Sequence, residues 1–83
     1  WIPESAMLAR PGMGVQAVAS YALGLGRYSV AWGCVGIAQA ALEASARYAA
    51  TRVQFGKALA EHQLIQKMLS DMVTKTRAAR QLC

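Results

Sequence analysis

The sequence predicts an all-α chain whose main feature is an antiparallel pair of long helices. Two stretches carry apolar residues at three- and four-residue spacing, from Arg27 to about Arg52 and from about Gln63 to Cys83. Breakers gather outside them, in Pro3, Arg10-Pro11-Gly12-Met13-Gly14 and Phe55-Gly56-Lys57. Gly33, Gly36, Ala38, Ala40, Ala41 and Ala44 leave almost no side chain on much of the first stretch, so another backbone can approach closely.

Residues 1–13 hold both prolines and a turn signal, and are expected to be an extended segment feeding a loop. From Val15 to Leu23 small apolar residues predict a short helix, with a break or kink at Gly24 and Gly26. The next helix, about 26 residues and so near 40 Å long, is expected to turn Val30, Cys34, Ile37, Ala41, Ser45 and Tyr48 inward, with Gln39, Glu43 and Arg47 as its polar line. Gly56 is well placed to relieve the helix end. After a loop of about ten residues, Ile65, Met68, Leu69, Met72, Thr76, Ala79 and Leu82 form the stripe of the last helix, while Lys67, Asp71 and Lys75 sit at i, i+4 for surface ion pairs. One hairpin buries one side of each helix, so the remaining small-residue faces call for further helices outside these residues.

Composition excludes several function classes. In 83 residues, a core is marginal without help from disulfides, metal or a partner. Cys34 and Cys83 have no cysteine framework around them and are expected to be reduced thiols of a cytoplasmic protein, and the lone His62 leaves no zinc pattern. Arg27, Gln39, Glu43, Arg47 and Arg52 interrupt the most apolar stretch, so no membrane span is expected. The net charge of +5 comes from scattered residues without a dense basic run, which argues against nucleic acid and suits small phosphate-bearing molecules better. Trp1-Ile2-Pro3-Glu4 has neither an initiator Met nor the regions of a signal peptide, as expected for the middle of a longer chain.

No nucleophile–histidine–carboxylate set, metal-ligand cluster or Gly-Lys-Ser phosphate loop is present. Gly12-Met13-Gly14 and Gly24-Leu25-Gly26 lack the third glycine of a dinucleotide motif and are expected to be turn glycines. The most polar cluster is the interhelical stretch, Arg52-Val53-Gln54-Phe55-Gly56-Lys57 followed by Glu61-His62-Gln63. An arginine there can hold a phosphate bidentately, and an amide such as Gln63 can donate and accept. The same residues also suit a plainer role, an arginine favouring a helix dipole and a glutamine in a first turn.

Arg52-x-Gln54-Phe55-Gly56-x-x-Leu59-x-x-x-Gln63-x-x-Gln66-x-x-Leu69-x-Asp71-Met72, followed by Ala79-Arg80-x-Leu82, resembles the signature of the acyl-CoA dehydrogenase family. Gly26-Arg27, Gly36-Ile37-Ala38-Gln39-Ala40-Ala41-Leu42 and Tyr48-Ala49 resemble the preceding helix of that family, and Pro3, Gly12 and Gly14 the exit from its middle domain. The stretch Ser29 to Gly36 is also similar to a branch acting on acyl-carrier proteins in polyketide biosynthesis.

The resemblance implies that residues 1–13 end a middle β domain and that 14–83 open a C-terminal four-helix, up-down bundle. It implies FAD as cofactor, bound between subunits of a homodimer or homotetramer, with Arg52, Val53, Gln54, His62 and Gln63 as its contacts. Gly24, Leu25, Gly26 and Arg27 are implied as contacts to an acyl-CoA or acyl-carrier-protein thioester, although Gly24 stands where the family frequently has Asp. The implied reaction is α,β-desaturation of that thioester, with an electron-transfer partner as final acceptor. Some branches place the base carboxylate immediately before the matching arginine; here that position is Gly26, so the base is expected outside these residues. Alternative readings are a flavin-free helical interaction module and an acyl-CoA oxidase-like or nitroalkane-oxidising enzyme on the same scaffold.

Overall fold

The computed structural model describes all of residues 1–83, which fall into two units, Trp1–Val30 and Ala31–Cys83. In the first unit, a 3-10 turn at Glu4–Ala6 leads to a tight turn at Arg10–Met13. The Met13 N–H donates to the Arg10 carbonyl at 3.1 Å, and Gly12 takes a φ of 89°. Pro at the second and a left-handed Gly at the third position define a type II turn, as the Arg10-Pro11-Gly12-Met13 signal suggests.

Where the sequence predicts the short helix from Val15, the chain instead winds as a π-helix over Gly14–Ala19. The Ser20 N–H reaches back five residues to the Val15 carbonyl, and its Oγ donates to the same oxygen at 2.8 Å. Helix α1 then runs unbroken from Ser20 to Thr51. The expected break at Gly24 and Gly26 does not occur. Both glycines sit in the helix with open space where a Cβ would be, so their cost is entropic and the hydrogen-bond ladder absorbs it. The irregularity lies earlier, in the wider turns before Ser20.

The second unit is a helical hairpin. After the last part of α1 come strand β1 (Val53–Gln54), strand β2 (Lys57–Ala58), a 3-10 turn (Leu59–Glu61) and helix α2 (Gln63–Leu82). One groove between the helices is lined by Ala31, Val35 and Ala38 against Thr76, Ala79 and Cys83. Another is lined by Ser45 and Ala49 against Ile65, Leu69 and Met72. The early residues of one helix thus meet the late residues of the other, which makes the pair antiparallel.

Facing one another across the two grooves are Ala31, Val35, Ala38, Leu42, Ser45 and Ala49 on α1, and Ile65, Leu69, Met72, Thr76 and Ala79 on α2 followed by Cys83 at its end, with Gln39 and Val73 half-buried beside them. Both sets alternate steps of four and three, the 3.5-residue spacing of a knobs-into-holes seam. The inward face of α1 is therefore one residue out of phase with the expected stripe. Of that stripe only Ser45 lies in the seam; Val30, Cys34, Ile37, Ala41 and Tyr48 are exposed, Ile37 at 72%. For α2 the reading holds at Ile65, Leu69, Met72, Thr76 and Ala79, whereas Met68 and Leu82 are exposed. Lys67, Asp71 and Lys75 face solvent, as expected, but the ion pairs that their spacing suggests do not form. No helix is long and apolar enough to cross a membrane.

Candidate functional site

The polar cluster between the helices is a shaped element, not an open loop. α1 ends where Thr51 Oγ1 turns back on the Arg47 and Tyr48 carbonyls, at 3.2 and 3.3 Å. β1 and β2 pair antiparallel, Val53 opposite Ala58 and Gln54 opposite Lys57, which leaves Phe55-Gly56 as a two-residue turn. Phe55 has a φ of 54° and Gly56 one of 78°, so both central residues are left-handed and the turn is type I′, the form whose twist matches a strand pair. Gly56 thus serves the hairpin tip and not the helix end assigned to it from the sequence. A bulky aromatic at positive φ carries strain of roughly 1–3 kcal/mol, so other contacts must hold the tip.

Those contacts converge from the segment leading into α2. The Leu59 N–H donates to the Arg52 carbonyl at 2.8 Å and extends the ladder by one step. The Ala58 N–H donates to Glu61 Oε1 at 3.2 Å, half of a capping box, since alanine has no oxygen with which to reciprocate. Lys57 Nζ donates to the Glu61 carbonyl at 3.3 Å, and Gln66 Nε2 to the Ala60 carbonyl at 2.9 Å. The half-buried His62, just before the first residue of α2, directs Nε2 at the Gln54 carbonyl, 3.2 Å away. The Phe55 ring meets the His62 ring edge-on, centroids 6.3 Å apart at 77°.

Among the residues singled out from the sequence, Arg52, Val53, Gln54 and Gln63 are exposed. Strand alternation places Arg52 and Gln54 on one face of the ribbon and Val53 on the other. Lys57, opposite Gln54, shares the Arg52 face, a placement that only the strand register reveals. The Arg52 side chain has no partner in this chain, and the Gln54 amide donates only to the neighbouring Val53 carbonyl at 2.9 Å. The result is a solvent-facing guanidinium and carboxamide on a braced turn. Such a set suits a phosphate or the edge of a heteroaromatic ring.

Gly24, Leu25, Gly26 and Arg27 lie on α1 within the first unit, all exposed. At about 100° per residue they spread around the helix, and only Gly24 and Arg27, three apart, share a face. Open space surrounds both glycines, and Ser29 Oγ donates to the Leu25 carbonyl at 3.0 Å.

Residues 12–83 match the family model described as the acyl-CoA dehydrogenase C-terminal domain. An acyl-CoA dehydrogenase of Bacillus subtilis is 43% identical over 81 residues, which cover 98% of this chain and 21% of that protein. The human mitochondrial short-chain specific acyl-CoA dehydrogenase is 41% identical over 81 residues, 98% of this chain and 19% of the relative. An NADH-linked acryloyl-CoA reductase of Anaerotignum propionicum is also 41% identical, over 98% of this chain and 20% of the relative. The chain therefore spans about a fifth of the length of these curated relatives. No solved structure gives a significant match. Signature, helical hairpin and family match agree: the chain belongs to the acyl-CoA dehydrogenase family and is part of its C-terminal helical domain.

Proposed function

We propose that these residues are the opening helices of the C-terminal bundle of an FAD-dependent dehydrogenase that desaturates an acyl thioester, carried by coenzyme A or by a carrier protein, at its α,β bond. The observation that supports this most directly is the hairpin face: Arg52 and Gln54 stand together on a braced two-stranded turn, with Gln63 at the head of α2, all facing solvent. This donor set fits a dinucleotide cofactor by its chemistry. A guanidinium pairs with a pyrophosphate oxygen pair, and carboxamides suit ribose hydroxyls and the adenine edge. When bound, FAD supplies the two-electron acceptor for hydride leaving the β carbon of the thioester.

In this reading Arg52, Gln54, His62 and Gln63 hold the cofactor, and Val53 contributes backbone. Because their face is turned outward, the bound group belongs between subunits of a homodimer or homotetramer. Arg27, with the helix surface opened by Gly24 and Gly26, contributes to the thioester site. The base that removes the α proton is supplied from outside these residues, because Gly26 has no proton acceptor. Residues 1–13 lead out of a middle β domain, residues 14–83 start the bundle, and the enzyme works in the cytoplasm with an electron-transfer partner.

The test uses the full-length enzyme purified with its cofactor. Its visible absorption is expected to be that of a flavoprotein. Arg52→Ala is expected to weaken FAD roughly tenfold to a hundredfold, the equivalent of a lost charge-assisted contact of about 1.5–3 kcal/mol, with little change in thermal unfolding of the apoenzyme. Gln63→Ala acts in the same direction, more weakly. Full flavin occupancy in both variants after extensive dialysis would return Arg52 to a helix-end charge.

A further inference from the structure

We infer that Glu61 is a positioning residue: its side chain and its carbonyl together fix the short connection from β2 to α2, and so set the spacing between the two parts of the cofactor face. This role rests on the cofactor face proposed for these residues and specifies how its parts are kept in place.

The face is divided between two elements. Arg52 and Gln54 stand on the hairpin, whereas His62 and Gln63 stand where α2 begins. Between them run β2 and the 3-10 turn Leu59–Glu61. A ligand that spans both parts finds them correctly placed only while this connection keeps one conformation. Its backbone supplies two links, from the Leu59 N–H to the Arg52 carbonyl at 2.8 Å and from the His62 N–H to the Leu59 carbonyl at 3.0 Å.

The strand register shows what these links leave open. In an antiparallel pair, opposite residues alternate between those that exchange hydrogen bonds and those that do not. Leu59 bonds Arg52, and Gln54 and Lys57 bracket the two-residue turn, so the pair between them, Val53 and Ala58, is of the second kind. The Ala58 N–H therefore points away from β1, at the open edge of the ribbon. Glu61 Oε1 accepts it at 3.2 Å. Lys57 is tied to the same residue by another route, Nζ donating to the Glu61 carbonyl at 3.3 Å. Glu61 thus bonds both residues of β2, one through its side chain and one through its main chain, and the residue after it is His62. Gln66 fastens the same turn to α2, its Nε2 donating to the Ala60 carbonyl at 2.9 Å.

The Glu61 side chain acts here by its reach. Ala58 offers a neutral amide, and the Lys57 ammonium bonds the carbonyl and not the carboxylate, so an uncharged acceptor of the same length can stand in. Aspartate keeps the charge but is one methylene shorter. With the link gone the connection samples other conformations, and the apparent affinity for a ligand spanning both parts falls with the fraction that stays competent.

The experiment compares Glu61→Gln, Glu61→Asp and Glu61→Ala in the full-length enzyme, with two readouts. Titration of the apoenzymes with FAD is expected to give a Kd within about twofold of the parent for Glu61→Gln and about three- to tenfold weaker for Glu61→Asp and Glu61→Ala, the loss of one ordinary hydrogen bond. Hydrogen exchange of peptides spanning 52–62 in the apoenzymes is expected to rank the same way, protected in the parent and in Glu61→Gln and faster in the other two. Affinity kept by Asp and lost by Gln would overturn the proposal, because charge and not reach would then be the cause. Equal affinity in all three variants would overturn it as well. A parent enzyme that takes up no FAD would sink the cofactor reading, and the exchange order would then decide on its own: rescue by Gln alone upholds the link from Glu61 to β2, and equal exchange in all three overturns it.

Discussion

Replacing Gly56 tests the type I′ turn because the structure separates backbone strain from crowding at that position. Its φ is 78°, and a Cβ built there meets no atom within 4 Å. Any penalty must therefore come from placing an L residue in the left-handed region, about 1–2 kcal/mol for alanine, less for asparagine and more for a β-branched valine. The cost is expected to rise from Asn to Ala to Val, although asparagine is larger than alanine. For Gly56→Ala the hairpin opens more readily by that same 1–2 kcal/mol, so its amides should exchange roughly five- to thirtyfold faster. The assay is hydrogen exchange by mass spectrometry on peptides covering 52–62 in the full-length enzyme, with amides of α2 as internal reference. If Gly56→Ala is tolerated better than Gly56→Asn, the penalty follows volume instead of φ, and the type I′ turn with its open surroundings is refuted.

Two further outcomes concern the α1 glycines and the carboxylates. Gly24→Ala and Gly26→Ala are each expected to raise the stability of the full-length enzyme by roughly 0.5–1 kcal/mol, because both lie within an unbroken helix with free space at the Cβ. A rise in thioester KM alongside the raised melting temperature is expected if this surface faces substrate; a fall in melting temperature would show that the helix is interrupted there after all. Glu43→Gln, Glu61→Gln and Asp71→Asn are each expected to leave anaerobic bleaching of the flavin by substrate within about tenfold of the parent. Glu43 Oε1 already accepts the Gln39 amide at 2.7 Å, Glu61 Oε1 accepts the Ala58 N–H, and Asp71 is exposed. A loss of several orders of magnitude in any one of them, with flavin still bound, would place the base inside these residues.

The α2 stripe was legible in the sequence because polar residues occupy most of the rest of that helix. Gln66, Lys67, Ser70, Asp71, Thr74 and Lys75 leave one apolar face, so periodicity has a single solution there. Membership in the family and the identities of the interhelical cluster were legible for a related reason, since they are statements about residue order and spacing. The inward face of α1 was not. Its residues are small or apolar nearly all round, so Val30, Cys34, Ile37, Ala41 and Tyr48 form as good a stripe as Ala31, Val35, Ala38, Leu42 and Ala49, one residue away. Only the partner helix selects between faces that burial alone would reward about equally.

The tertiary structure also decided the turn and the contacts of His62 within it. Phe-Gly is not among the dipeptides that announce a type I′ turn, and an aromatic residue at positive φ is disfavoured when considered locally. It is held there by an imidazole from the start of the next helix and by a ladder closed from Leu59 back to Arg52. The continuity of α1 through Gly24 and Gly26 is the same lesson in reverse. Local propensity puts a penalty at those residues, and the helix as a whole outweighs it, because each peptide added to an existing ladder gains a hydrogen bond without repeating the cost of nucleation.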